Sequence, residues 1–376
     1  MKRIWLVLAL ILGLQFTYLP AQAAEAKIVR LVTEPNRNFS GYFYSDDLAT
    51  RLAPTGDLGK LVFYPANRPR IWVVDTAFID DVLAMKNKYK IGLEDGEKID
   101  GVGSLVAVNW LNQFSFISSS DQVVVLPYGN PAYRLIKNYA PGELNFYYSN
   151  ANKRLASFLA RSVISDKSGN YSKGSLKSDN SLRVKYAQNR RTLTTLSRVV
   201  DAPELTTLRL QMARLLNPNI NKEFRDRLLN SADKEITRSA KKLRVTAGRY
   251  RLTSSEVKLP ITLVNNFSSP VKVSLELLPR NSRVQISGIS NVIIAPNSKM
   301  QLSLPANVIT PGTVTVAARL TDAKGVPVTK YSQLNLNLSI VDSRVAWFTS
   351  SAAALLFVAA TLQTVRRVRR SQKSKQ

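Results

Sequence analysis

From residue 27 to about residue 163, short apolar runs alternate with segments whose apolar residues recur every three or four positions. KIVRLV (27–32), RIWVVD (70–75), DQVVVLPYGNP (121–131) and GELNFYYSN (142–150) read as strands. SDDLATRLAP (45–54), DLGKLVFYPAN (57–67), TAFIDDVLAMKNKY (76–89), GVGSLVAVNWLNQFSFI (101–117), AYRLIKNY (132–139) and ANKRLASFLARSV (151–163) read as helices. Phe78, Ile79, Val82, Leu83 and Met85 mark one buried face, and Leu105, Val108, Trp110, Leu111 and Phe114 mark another. Such alternation predicts βα units around a parallel sheet, closed as a partial TIM-like barrel or left as an open sheet. Ligands of these sheets bind at the carboxyl ends of the strands. Asp75, the Tyr128–Asn130 turn and the Tyr147–Asn150 end would then share one rim. Asp75, Tyr128, Asn130 and Tyr147 are the candidate ligand-binding residues.

Residues 164–247 turn polar and basic. The first part is a Gly/Ser/Lys-rich loop in which SLRVKY has the option of a strand. Asp201-Ala202-Pro203-Glu204 opens a helix as cap, first-turn proline and capping-box acid. Leu205, Leu208, Met212, Leu215 and Leu216 form its apolar face, and a second helix over about 220–243 carries a basic outer face. From Gly248 the period changes to two. Val271, Val273, Leu275 and Leu277, then Val314, Val316 and Ala318, then Leu334, Leu336, Leu338 and Ile340 alternate with polar residues between turn signals. That pattern over 248–342 predicts an all-β immunoglobulin-like sandwich.

The two ends carry targeting signals. Lys2 and Arg3, an apolar run and Ala21-Gln22-Ala23 predict a signal peptide over 1–23, with an uncut anchor helix as the alternative. Residues 345–365 contain no charge and are long enough for a transmembrane helix. Arg366, Arg367, Arg369 and Arg370 in the basic tail 366–376 would hold that end in the cytoplasm. The topology expected is single-pass in the cytoplasmic membrane, with the α/β domain (24–163), the helical segment (164–247) and the sandwich outside.

Composition then removes chemistry. The chain contains no histidine and no cysteine, so Ser-His-Asp and Cys-His catalysis are excluded, as are the usual imidazole and thiolate metal ligands. No cofactor is implied. The net charge is +27, and residues 161–251 hold 21 basic against 8 acidic side chains. The counter-charges to expect are the lipid bilayer, an anionic wall polymer or a lipid-linked glycan. Nucleic acid is not expected, because the aromatic-plus-basic interleaving of a stacking platform is missing.

YSDDLATRLAPTGDLGKL, IWVVDTAFIDDVLAMKNKY, VNWLNQF, VVVLPYGNPAYRLI and AGRYRLTSSEVKLPITLVNNFSSPVKVSLEL occur in this order. The concatenation resembles an uncharacterised family of actinobacterial exported proteins with a C-terminal membrane anchor, often encoded beside the lipid II flippase. The chain departs from it in length, in Thr76 after the strand aspartate, and in Thr55-Gly56-Asp57-Leu58. The resemblance implies an envelope setting and an envelope membrane protein such as the flippase as partner. It implies no catalytic residues.

Two functions follow. The first is a non-enzymatic accessory protein of the cell envelope, assisting peptidoglycan-precursor or wall-polymer processes by binding. The alternative is a carbohydrate-active enzyme, or an inactive relative of one. It would use Asp75 with Glu34, Asp46 or Glu143 as its two carboxylates. No spacing pairs any two of them, and Asp75 also fits the cap of the helix that follows it.

Overall fold

A computed structural model of the protein describes residues 25–92, 95–177, 180–339 and 343–373. The expected signal peptide and Ile340 lie outside the described residues. The chain divides into two compact units, Met1–Ala187 with Thr207–Glu235, and Gln188–Thr206 with Ile236–Gln376.

The first unit begins with β1 (Lys27–Leu31), α1 (Asp47–Leu52), α2 (Asp57–Phe63), β2 (Arg70–Val74) and α3 (Thr76–Lys86). A two-stranded ribbon, β3 (Lys90–Ile91) with β4 (Ile99–Asp100), precedes α4 (Ser104–Ser118) and β5 (Gln122–Val125). Then come α5 (Tyr133–Tyr139), α6 (Pro141–Leu159), β6 (Ile164–Ser165) and α7 (Asn180–Leu196). The four main strands run parallel in the order β1-β2-β5-β6. The sheet is open, with β1 and β6 at its edges, and so does not take the barrel alternative. Its centre is apolar: Trp72, Val73, Val74, Val124 and Val125 are buried, and Trp72 meets Phe114 edge-on at 5.4 Å between ring centroids. Continuous Val-rich strands of this kind are expected where helices cover both sheet faces.

One stretch read as a strand, and one for which a strand was an option, are helices. GELNFYYSN lies in α6, where Leu144, Tyr147, Tyr148, Ala151 and Leu155 are buried at helical spacing behind Pro141 in the first turn. SLRVKY lies in α7. Aromatic and β-branched residues favour strands locally, but a continuous stripe three to four residues apart buries more surface as a helix. α8 (Pro203–Met212) runs into a 3₁₀ turn at Ala213–Leu216, and α9 (Lys222–Ala240) follows.

The second unit holds β7 (Leu243–Val245), β8 (Gly248–Leu252), β9 (Glu256–Asn265), β10 (Val271–Pro279), β11 (Val284–Ile286), β12 (Ile289–Ile294), β13 (Ser298–Val308), β14 (Gly312–Thr321) and β15 (Ser332–Leu338). They form a five-stranded sheet, β12-β10-β14-β15-β8, and a four-stranded sheet, β11-β13-β9-β7. All pairings are antiparallel except β15 with β8. Val271, Val273, Leu275, Val314, Val316, Leu334, Leu336 and Leu338 are buried while their neighbours are more exposed. Asn265, fully buried, ties the β9 end to the next turns. Its Nδ2 donates to the carbonyls of Ser269 and Ala295, each at 2.9 Å, and its Oδ1 accepts from Phe267 N at 2.9 Å.

The expected fold class fails at its last element. The C-terminal helix α10 spans Ser343–Lys373, but among the described residues no helix is long and apolar enough to cross a membrane. Thr349, Ser350, Ser351, Thr361, Gln363 and Thr364 dilute the apolar run, and Arg366 and Arg367 continue the same helix. The transmembrane helix, the single-pass localisation and the orienting role of Arg366, Arg367, Arg369 and Arg370 are therefore withdrawn. Arg366 and Arg367 are exposed, and the side chains of Arg369 and Arg370 lie outside the described set.

Candidate functional site

Each main strand of the parallel sheet delivers a polar group at its carboxyl end. Asp75 follows β2, and its φ and ψ are those of an extended N-cap. Its Oδ1 accepts from Ala77 N in the first turn of α3 at 3.0 Å, which satisfies one of the free amides that open any helix. The same oxygen accepts from Gly129 N at 2.8 Å, in the turn that follows β5. Asp75 thus clasps two neighbouring strand ends. It is 2 % exposed, and burial pushes its carboxyl up to about 7 against the opposing pull of the two amides and of the Arg214 guanidinium.

Beside it lies a buried ion cluster. Arg214, 2 % exposed, donates through Nη2 to Asp81 Oδ1 at 2.6 Å and to the carbonyl of Ala77 at 2.9 Å. Arg37 Nε donates to the same carboxylate at 2.8 Å. Burial alone would push Asp81 up, but these two guanidinium groups hold it below the usual carboxylate range. Gly129 has φ +75°, and a Cβ there would stand 2.9 Å from Arg214 N and 3.0 Å from its Cγ. Glycine is required on both counts.

The other candidates are placed as follows. Tyr128 is buried and donates to Asp80 Oδ2 at 3.0 Å, where Arg154 Nη1 also donates at 2.9 Å. Burial raises both the Tyr128 phenol and the Asp80 carboxyl. Asn130 is buried with φ +45°, and its Oδ1 has no hydrogen-bond partner among the described residues. Tyr147 is not at a strand end. It sits in the middle of α6, fully buried, with its hydroxyl 3.1 Å from that of Tyr186. At the end of β6, Asp166 spends both carboxylate oxygens on the amides of Asn170 and Tyr171, at 2.8 and 2.9 Å.

The carboxylates weighed as partners of Asp75 are dispersed. Asp46 accepts from Tyr89 OH and from Val102 N, and Glu143 is held by Arg209 at 2.9 and 3.2 Å. Glu34 does reach the rim, where Thr33, Glu34, Asp75, Asp81, Gly129, Arg214 and Asn217 line a cavity of about 10 Å³. That is room for about one water and not for a sugar ring. Asp81 and Arg214 were not singled out from the sequence. Arg214 lies in the helix read after Asp201-Ala202-Pro203-Glu204 but not on the apolar face given to it, 133 residues from its carboxylate partner. No group of three or more Asp or Glu side chains able to hold a metal ion occurs among the described residues.

Residues 149–375 match a family of unknown function, DUF6049. The chain belongs to this family. DUF6049 assigns no activity, so it transfers no residue roles to the rim. No curated protein matches the chain. Among solved structures, an Escherichia coli alpha-2-macroglobulin fragment shares 13 % identity at a TM-score of 0.21, covering 26 % of this chain and only 16 % of the other. WR4, an MSP family member of Caenorhabditis elegans, shares 7 % at 0.20, covering 27 % and 98 %. The Pseudomonas fluorescens alkylpurine DNA glycosylase AlkC shares 10 % at 0.19, covering 61 % and 72 %. Likenesses this low carry no argument.

Proposed function

We propose that this DUF6049 protein is a non-enzymatic accessory protein of the cell envelope, acting by binding a polyanionic wall polymer or lipid-linked glycan. The observation that carries the non-enzymatic half is the sealed rim. A glycosidase needs two carboxylates flanking a sugar, about 5–10 Å apart in an accessible cleft. Here Asp75 is 2 % exposed beside a cavity of about 10 Å³, and Asp81 is held by two arginines. The binding half is supported by the net charge of +27, which draws polyanions of any backbone.

The test is incubation of the full chain and its Asp75→Asn variant with purified wall glycan and wall polymer. Retention of polymer with no release of soluble fragments by either protein is the expected result. Fragment release by the parent chain, lost in Asp75→Asn, would make it an enzyme.

A further inference from the structure

The five-stranded sheet of the second unit presents a polar outer face with an unusual distribution of charge. Along β8, Arg249 and Arg251 are exposed while Leu252 is buried. Along β15, Asn335 and Asn337 are exposed between buried Leu334, Leu336 and Leu338. Along β14, Thr313 is exposed and Thr315 half-buried, between buried valines. The strand register places these residues in two rows across the sheet. One is Thr315, Asn335 and Arg249; the other is Thr313, Asn337 and Arg251. Thr315 Oγ1 donates to Asn335 Oδ1 at 3.0 Å, which leaves the asparagine amide group free to donate outward. Arg280, at the end of β10, joins the first row through its backbone amide, which donates to the Thr315 carbonyl at 3.0 Å.

These residues line an open groove of about 670 Å³. Three arginines face it and no carboxylate does. None of Arg249, Arg251 and Arg280 takes part in an ion pair among the described residues, whereas exposed Arg68 and Arg198 pair with Asp121 and Asp322. Unpaired like charges on one face repel one another unless a counter-charge is supplied. Residues two apart on a strand stand about 7 Å apart on the same face, so Arg249 and Arg251 make a repeating cationic row beside a strip of amide and hydroxyl donors and acceptors. Guanidinium groups bind phosphate oxygens in bidentate fashion, and amides and hydroxyls match the hydroxyls of a polyol or sugar.

We infer that this groove, built on Arg249, Arg251, Arg280, Asn335 and Asn337, is the binding site for an extended phosphodiester-linked polyol or sugar polymer. This inference rests on the binding reading proposed above and gives it an address. The breadth of the groove over three strands favours a chain laid across the sheet, and the alternation of charge with neutral donors favours a ligand alternating phosphate with hydroxyl-bearing units.

The test uses the full chain and a lipid-free glycerol-phosphate oligomer, titrated by calorimetry at a series of salt concentrations. Parent protein is expected to bind with a log–log salt slope near −2, from about 0.7 per phosphate neutralised by three arginines. The R249Q/R251Q/R280Q variant is expected to lose at least tenfold in affinity and most of that slope. The control K258Q/K299Q/K324Q removes the same charge from exposed positions outside the groove and is expected to stay within about twofold. All six side chains are exposed, so unchanged thermal unfolding confirms intact folds. Parent binding that the arginine variant keeps and the lysine variant loses would overturn the groove while leaving the binding reading in place. Salt-insensitive binding of an uncharged oligosaccharide, equal to that of the oligomer, would overturn the phosphate chemistry. Absence of binding by the parent at low salt would overturn both.

Discussion

Replacing Asp75 by asparagine is the perturbation with the clearest arithmetic. The carboxyl is 2 % exposed and pushed up to about 7 by burial, whereas in an unfolded chain it titrates near 3.9. The folded protein therefore holds the proton more tightly than the unfolded one. The stability linked to that proton is fully present below about pH 4 and is lost as pH rises through 7. At 1.36 kcal/mol per tenfold change, the loss is on the order of 4 kcal/mol by pH 8. Asparagine keeps an oxygen for the amides of Ala77 and Gly129 and has no charge to bury. The difference between variant and parent is thus expected to shift towards the variant by about 3–4 kcal/mol between pH 4.5 and pH 8. Urea unfolding followed by tryptophan fluorescence reads this unit well, because Trp72 and Trp110 are fully buried in it. A difference that stays constant with pH, or that moves towards the parent as pH rises, would refute the burial argument. It would mean that Asp75 is an ordinary ionised carboxylate.

Other outcomes follow from the same contacts. Arg214→Met leaves Asp81 buried with Arg37 as its remaining guanidinium partner and is expected to cost about 3–5 kcal/mol in urea unfolding, much of it recovered when Asp81→Leu is added. Tyr147→Phe removes one buried hydroxyl pair with Tyr186 and is expected to cost about 1 kcal/mol in the same assay. Asn265→Ala strips the turn after β9 of its side-chain hydrogen bonds and is expected to cost about 2–4 kcal/mol, read from thermal unfolding of the second unit.

Which features could be read from sequence depended on how local their causes are. The strand at 70–74 and the helix at 76–86 were legible because an apolar run, a capping aspartate and a helical stripe adjoin one another. The capping role of Asp75 was legible for the same reason. The strand reading of 142–150 fails because Phe146, Tyr147 and Tyr148 carry strand propensity, while the deciding stripe runs on through Ala151 to Leu155, in the segment read as a separate helix. The membrane span expected at 345–365 is not found, since among the described residues no helix is long and apolar enough to cross a membrane. The clasp around Asp81 was not legible at all. It joins Arg37, Asp81 and Arg214, whose proximity is a consequence of the tertiary fold and leaves no periodic trace. The cationic rows on the β8–β15–β14 face were half legible: the alternation was visible, but the register that aligns Arg249 with Asn335 was not.

Binding of polyanion without cleavage is the property on which the proposed function stands. Quantitative analysis of one reaction, in which the full chain is mixed with wall polymer at low salt and then separated into bound polymer and released fragments, tests both halves. Polymer is expected to be retained by the protein and released intact by salt, with no new chain ends. New chain ends that accumulate with time and vanish in Asp75→Asn, or polymer that never associates at low salt, would contradict it.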